Sequence, residues 1–297
     1  MSQTEKFAFD VASADGPKTF SGRRTATAAT PARPDVPLVV AVHGGTYTSA
    51  YFDLPGYSLL DQAAALGIPV VALDRPGYVD STSVDPGESL ILANAKALVD
   101  AVGEVWRTEG QGRPGVVLIG HSIGGATVCA MAALNPSWPL LGIAVSGCLL
   151  EVPAQARDGF NATPEVPYLE LPDDMKEQVM FGPEGTYTPD MPVAGRAANA
   201  PIPRAELIDI NNGWIQRVRF VNAQITVPVH ARQGEFDHLW ITDEDQMRQF
   251  GESFTSAPSV DARLVPYAGH CVEFHRKGAA LELEQLAFAL GCAVRPS

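Results

Sequence analysis

The stretch from Val116 to Leu134 constrains this chain more than any other. Val116-Val117-Leu118-Ile119 is an apolar run in which three of four residues are β-branched, so it reads as a buried strand. Ala126-Thr127-Val128-Cys129-Ala130-Met131-Ala132-Ala133-Leu134 reads as a helix. Between them lies Gly120-His121-Ser122-Ile123-Gly124, which matches G-x-S-x-G. A chain that turns from strand to helix so quickly holds Ser122 in strained backbone, and the flanking glycines leave room for the bend. The turn carries the serine Oγ past the end of the sheet and sets the Ile123 N–H where a developing oxyanion would sit. The pentapeptide does not decide alone, because an ordinary βα loop or a phosphate loop can carry the same residues. A base, an acid and a second amide donor elsewhere in the chain would decide it.

The flanking sequence supplies the rest of an α/β frame. Phe7 to Val11 and Thr25-Ala26-Thr27-Ala28 read as short strands of an antiparallel edge. Pro37 to Val42 and Ile68 to Leu73 are continuous apolar runs, as central parallel strands are. Glu88 to Arg107 places Ile91, Ala95, Leu98, Val102 and Val105 on one face at helical spacing. Strands follow at Leu141–Ser146, Ile225–Ala231 and Ala262–Tyr267, with helices at Asp243–Phe254 and Gly278–Leu290. This alternation predicts a doubly wound, mostly parallel sheet with helices on both faces. Residues 151–223 break the rhythm: they are rich in Pro, Met and aromatic residues and show no clear strand. So long an insertion is expected to be a lid of short helices between core segments 1–150 and 224–297.

Bulk properties narrow the partners. At 297 residues the formal net charge is −13, which argues against nucleic acid or an anionic membrane surface and leaves a small-molecule substrate. No apolar run is long enough to span a bilayer, and Met1 to Lys6 lacks a basic-then-apolar leader, so a cytoplasmic protein is expected. Cys129, Cys148, Cys271 and Cys292 are widely spaced in apolar surroundings and read as reduced packing residues, with no metal or cofactor implied. Oligomeric state leaves no trace in the sequence.

A serine nucleophile needs a base of neutral pKa, and there are six histidines. His270, in Tyr267-Ala268-Gly269-His270 just after the last expected strand, would share a sheet edge with Ser122. His238 also follows a strand. His43 ends a strand and is expected to steady its loop; His121 is expected to turn into the packing, although it also neighbours any bound substrate. His230 lies within a strand, and His275 should face elsewhere. The acid is expected in Gln233-Gly234-Glu235-Phe236-Asp237. Asp237 is favoured over Glu235 because Gly234 lets the loop turn before the acid projects, and Glu151 is a further alternative. Gly44 and Gly45 permit close backbone approach, so the N–H of Gly45, or that of Thr46, would pair with that of Ile123 as oxyanion donor. Tyr47, His121, Trp214 and His238 are the candidate substrate contacts.

His43-Gly44-Gly45, Asp74-Arg75-Pro76-Gly77-Tyr78, Gly120-His121-Ser122-Ile123-Gly124, Gly234-Glu235-Phe236-Asp237 and Gly269-His270 together resemble the α/β-hydrolase superfamily, in its chain order of Ser, Asp, His. The resemblance runs from about Leu38 to Leu290. It implies an eight-stranded sheet with a lid inserted after the sixth strand. Residue by residue, it makes Ser122 nucleophile, His270 base and Asp237 acid. Ser122 stands where dehalogenases and epoxide hydrolases of the superfamily carry aspartate. His43-Gly44-Gly45-Thr46 departs from both the triple-glycine loop and the His-Gly-x-Pro loop. The expected function is a serine hydrolase that cleaves an ester or thioester of a moderately apolar small molecule through an acyl-enzyme. An acyltransferase or cyclase that uses the same acyl-enzyme is the alternative, and a non-catalytic binding module on this fold is a more distant one.

Overall fold

The computed structural model describes residues 4–13, 16–26 and 33–294. Eight strands form one sheet: β1 (Thr4–Val11), β2 (Lys18–Thr25), β3 (Leu38–Val42), β4 (Val70–Leu73), β5 (Val116–His121), β6 (Leu140–Ser146), β7 (Val229–Gly234) and β8 (Val260–Val265). Their order across the sheet is β1-β2-β4-β3-β5-β6-β7-β8. Strand β2 pairs antiparallel with both its neighbours, and every other pairing is parallel. Strands β3, β4 and β5 are buried along their whole length, which is why they read as unbroken apolar runs.

The sheet is covered on both faces. Leu38, Val40, Leu118 and Val145 point into one layer, under helices α2 (Leu90–Glu109) and α3 (Ile123–Ala133). Val39, Ala41, Val117 and Ile119 point into the other, under α1 (Leu59–Ala65) and the last helix, Gly278–Ala293. Helix α2 is capped by Ser89, whose side chain accepts the Leu92 N–H, and it ends at Gly110. Each buried Val, Leu or Ile contributes about 1.5–3 kcal/mol, so the two layers fix sheet and helices as one body.

Residues 151–223 fold into α4 (Ala154–Asn161), α5 (Asp173–Met180), α6 (Met191–Gly195), α7 (Arg204–Ile208) and α8 (Ile215–Asn222). A two-residue ladder joins Tyr168–Leu169 to Ile202–Pro203. A π-helical turn over Asp209–Trp214 links α7 to α8 without a break.

Several boundaries differ from the sequence reading. The strand expected from Thr25 to Ala28 is instead Lys18–Thr25, and Thr27 and Ala28 lie outside the described residues. That strand is polar, with Phe20 its one large apolar residue, so it carries no apolar run. The strand expected from Ile225 starts at Val229, after Pro228, and the one expected to reach Tyr267 stops at Val265, before Pro266. Helix α1 was unanticipated; Ser58 caps it and accepts the Asp61 N–H. Among the described residues no helix is long and apolar enough to cross a membrane.

Candidate active site

Strand β5 ends at His121 and α3 starts at Ile123, so Ser122 alone makes the turn, at φ 56° and ψ −122°. This is the left-handed side of backbone space, where a non-glycine residue stores about 1–3 kcal/mol of strain. The neighbouring glycines are required by contact. A Cβ at Gly120 would lie 2.6 Å from Gly124 O, and one at Gly124 would lie 2.1 Å from Val42 O. The Ser122 N–H donates to Ser146 O at 2.7 Å, which ties the turn to the end of β6.

Three side chains from three loops meet at the carboxyl end of the sheet. The Ser122 hydroxyl and His270 Nε2 are 2.8 Å apart, and His270 Nδ1–H donates to Asp237 Oδ2 at 2.6 Å. Asp237 also accepts the Leu239 N–H on Oδ1 at 2.8 Å and Gln233 Nε2 on Oδ2 at 2.5 Å. These bonds fix the carboxylate, which fixes the ring, leaving Nε2 as the acceptor for the serine proton. The competing acids lie elsewhere. Glu235 is exposed and accepts the Tyr267 N–H, and Glu151 is exposed at the start of the helical insertion.

Neutral histidines hold the surrounding loops. Burial and the Arg75 charge hold His43 well below the usual imidazole range. Its Nδ1–H donates to Gly44 O at 2.8 Å and its Nε2 accepts the Arg75 N–H at 3.0 Å, which steadies the Gly44-Gly45 loop. Burial also lowers His275, whose Nε2 accepts the amides of Gly182 and Gly269 at 3.0 and 2.9 Å. That shared acceptor joins the loop before His270 to the end of α5.

A cavity partly open to solvent lies over Ser122. Gly45, Thr46 and Ile123 form its base, and Phe160, Met180 and Ile202 are among the apolar residues that the insertion contributes. The amides of Gly45 and Ile123 have no acceptor among the described residues, and the Thr46 hydroxyl is buried without a partner.

The four candidate substrate contacts are not on the cavity wall. Tyr47 is buried against Tyr51 and Phe274, with Lys176 Nζ 3.6 Å from its ring centroid. His121 is buried, stacked on Tyr51, with Nδ1–H donating to Ser146 Oγ at 3.1 Å. Trp214 packs inside the sheet-side core, and His238 is exposed. Packing takes Tyr47, His121 and Trp214 away from the cavity, whereas His238 faces solvent. Trp240, Leu239 and Asn211 reach the wall instead. Trp240 and Leu239 sit in the loop after Asp237, a position the chain order does mark. Asn211 depends on the π-helical turn, which has no sequence signal.

Behind His270 lies a second polar cluster. Ser146 Oγ donates to Glu273 Oε1 at 2.5 Å and the Tyr51 hydroxyl to Oε2 at 2.6 Å, while burial raises the Glu273 carboxyl. Among the described residues no group of three or more His, Cys, Asp or Glu side chains is placed to hold a metal ion.

A family model described as the alpha/beta hydrolase family matches residues 39–281. No curated protein matches the chain significantly in sequence. Solved structures do match in shape. A thermophilic esterase from Thermogutta terrifontis, solved with malate bound, superposes with a TM-score of 0.66 at 18% identity, over 96% of this chain and 99% of its own. A monoacylglycerol lipase from Paleococcus ferrophilus gives 0.61 at 18%, over 98% and 100%. A haloalkane dehalogenase loop variant from Bradyrhizobium elkanii gives 0.62 at 16%, over 97% and 98%. At such identities the likeness concerns the fold, and neighbours of different chemistry share it.

Proposed function

Because the chain belongs to the alpha/beta hydrolase family, we propose that it is a serine hydrolase that cleaves a carboxylic ester or thioester through an acyl-enzyme. The observation that carries this reading is the 2.8 Å contact between Ser122 Oγ and His270 Nε2, backed by the 2.6 Å contact to Asp237. Ser122 Oγ attacks the carbonyl carbon as its proton passes to His270 Nε2. The amides of Gly45 and Ile123 hold the oxyanion, and Asp237 stabilises the imidazolium. His270 then protonates the departing alcohol or thiol and takes a proton from water as its oxygen attacks the acyl carbon; collapse of that adduct breaks the bond to Ser122 Oγ, which receives the proton back from His270 as the acid leaves. The insertion 151–223 acts as the lid, supplying apolar walls for an acyl or alcohol group.

The test is covalent labelling with a fluorophosphonate, mapping of the modified residue, and assay of wild type and Ser122→Ala on p-nitrophenyl esters of graded chain length. The expected result is an adduct on Ser122 and turnover that the alanine variant loses. A folded protein without an adduct at Ser122 would overturn the assignment. Product analysis with an added alcohol separates hydrolysis, which yields free acid, from acyl transfer, which yields a new ester.

A further inference from the structure

Resting on that acyl-enzyme reading, we propose that the cavity selects an uncharged substrate carrying a hydroxyl or amide N–H on its apolar body, and that Asn211 recognises this donor. Among the described residues the cavity wall holds no Asp, Glu, Lys or Arg, and beyond Ser122 its polar side-chain groups are the Thr46 hydroxyl, the Asn211 amide and the Trp240 indole N–H. A charged group that entered would lose its hydration and find no counter-ion.

Asn211 is 3% exposed, so its amide must find partners inside the protein or in a ligand. Its Nδ2 donates to Leu207 O at 2.7 Å. Its Oδ1 has no donor among the described residues. One of the two Nδ2 hydrogens is engaged by Leu207 O while Oδ1 has no partner, so the group of Asn211 left wholly unpaired is the acceptor, and a matching ligand supplies O–H or N–H.

The element beneath it is built to hold this position. Asn211 lies in the π-helical turn Asp209–Trp214, and such turns occur often at functional sites. Successive residues Ile210 and Asn211 both reach the cavity, together with Leu207. The turn is pinned to the start of α2, because Asp209 Oδ2 accepts the Ser89 hydroxyl at 2.6 Å and the Ile91 N–H at 3.0 Å. A fixed acceptor in an apolar wall discriminates mainly by what it leaves unpaired: an analogue without the donor buries Oδ1 with no partner.

The experiment compares ethyl esters of hexanoic acid, of its monohydroxy isomers and of the matching methoxy compounds, followed by acid release. In wild type, one hydroxy isomer is expected to exceed both the parent and its methoxy twin by roughly tenfold in kcat/KM. In Asn211→Leu and Asn211→Ala that ratio is expected to fall to near one. A ratio within one enzyme cancels differences in folded fraction between preparations. Equal hydroxy and methoxy rates at every position in wild type would overturn the proposal, as would a preference that survives both substitutions. Failure of the acyl-enzyme reading shows differently: no fluorophosphonate adduct on Ser122 and no ester turned over, which removes this proposal with it.

Discussion

A methyl group added at Gly124 would lie 2.1 Å from the carbonyl oxygen of Val42 and 2.4 Å from that of His43, both fixed backbone atoms. At Gly125 the nearest atoms would be 3.3 Å away. Gly124→Ala is therefore expected to destabilise the fold by about 1–3 kcal/mol and to cut esterase activity sharply, while Gly125→Ala costs far less. Urea denaturation and p-nitrophenyl ester assays check this, and equal effects at the two positions would refute the contact argument. The acid is tested in the same way. Asp237→Asn is expected to lower kcat by as much as about 10⁴-fold, whereas Glu235→Gln, on an exposed side chain, stays within a few-fold of wild type. The serine, histidine and aspartate were legible because each follows a strand, and parallel strands bring such positions to one edge. The substrate contacts were not. Tyr47 and Trp214 have the right chain positions, but side-chain direction is settled by packing, which takes Tyr47 onto Tyr51 and Trp214 into the core.

Helix α5 shows what the element scale adds. Lys176 is buried beneath it, donates from Nζ to Thr46 O at 2.8 Å and also contacts Asn199 Oδ1, so α5 is moored to the loop that carries Gly45. Burial pulls its amine from the usual 10.5 to about 7, although the neighbouring Cys271 and Asp173 act to raise it. Between those two values the native state binds fewer protons at this site than the unfolded chain, so stability from this group rises with pH from about 7 upward. Lys176→Met removes that term. The melting temperature of wild type relative to the variant is expected to climb between pH 7 and 9; parallel profiles would refute the shift. The long buried elements were readable from periodicity alone, as α2 and β5 were. The edge strand β2 and the insertion helices were not, since their stability comes from partners distant in sequence. Gly22 is one such case: a Cβ there would lie 2.3 Å from Ala72 O on β4.

At the scale of the whole molecule, the sequence suggests a separable insertion between two core segments, whereas the packing joins the three. Arg75, at the end of β4, and Glu206, on α7, form an ion pair with both side chains fully buried. Glu206 also accepts the Tyr78 hydroxyl at 2.8 Å and Asn94 Nδ2 at 2.9 Å, so one carboxylate of the insertion binds the core loop after β4 and α2. Removing one partner leaves the other charge buried without compensation, at a cost of about 3–5 kcal/mol, while replacing both with apolar residues of similar size costs much less. Glu206→Leu is therefore expected to lower the urea midpoint strongly. Arg75→Met with Glu206→Leu should recover most of the loss, a coupling that a double-mutant cycle measures. Because the pair sits at the joint between insertion and sheet, wild type is expected to unfold in one transition by both tryptophan fluorescence and far-ultraviolet circular dichroism. Two separated transitions would mean that the insertion melts on its own, and the walls of the cavity would then be a mobile cover over a rigid serine, histidine and aspartate.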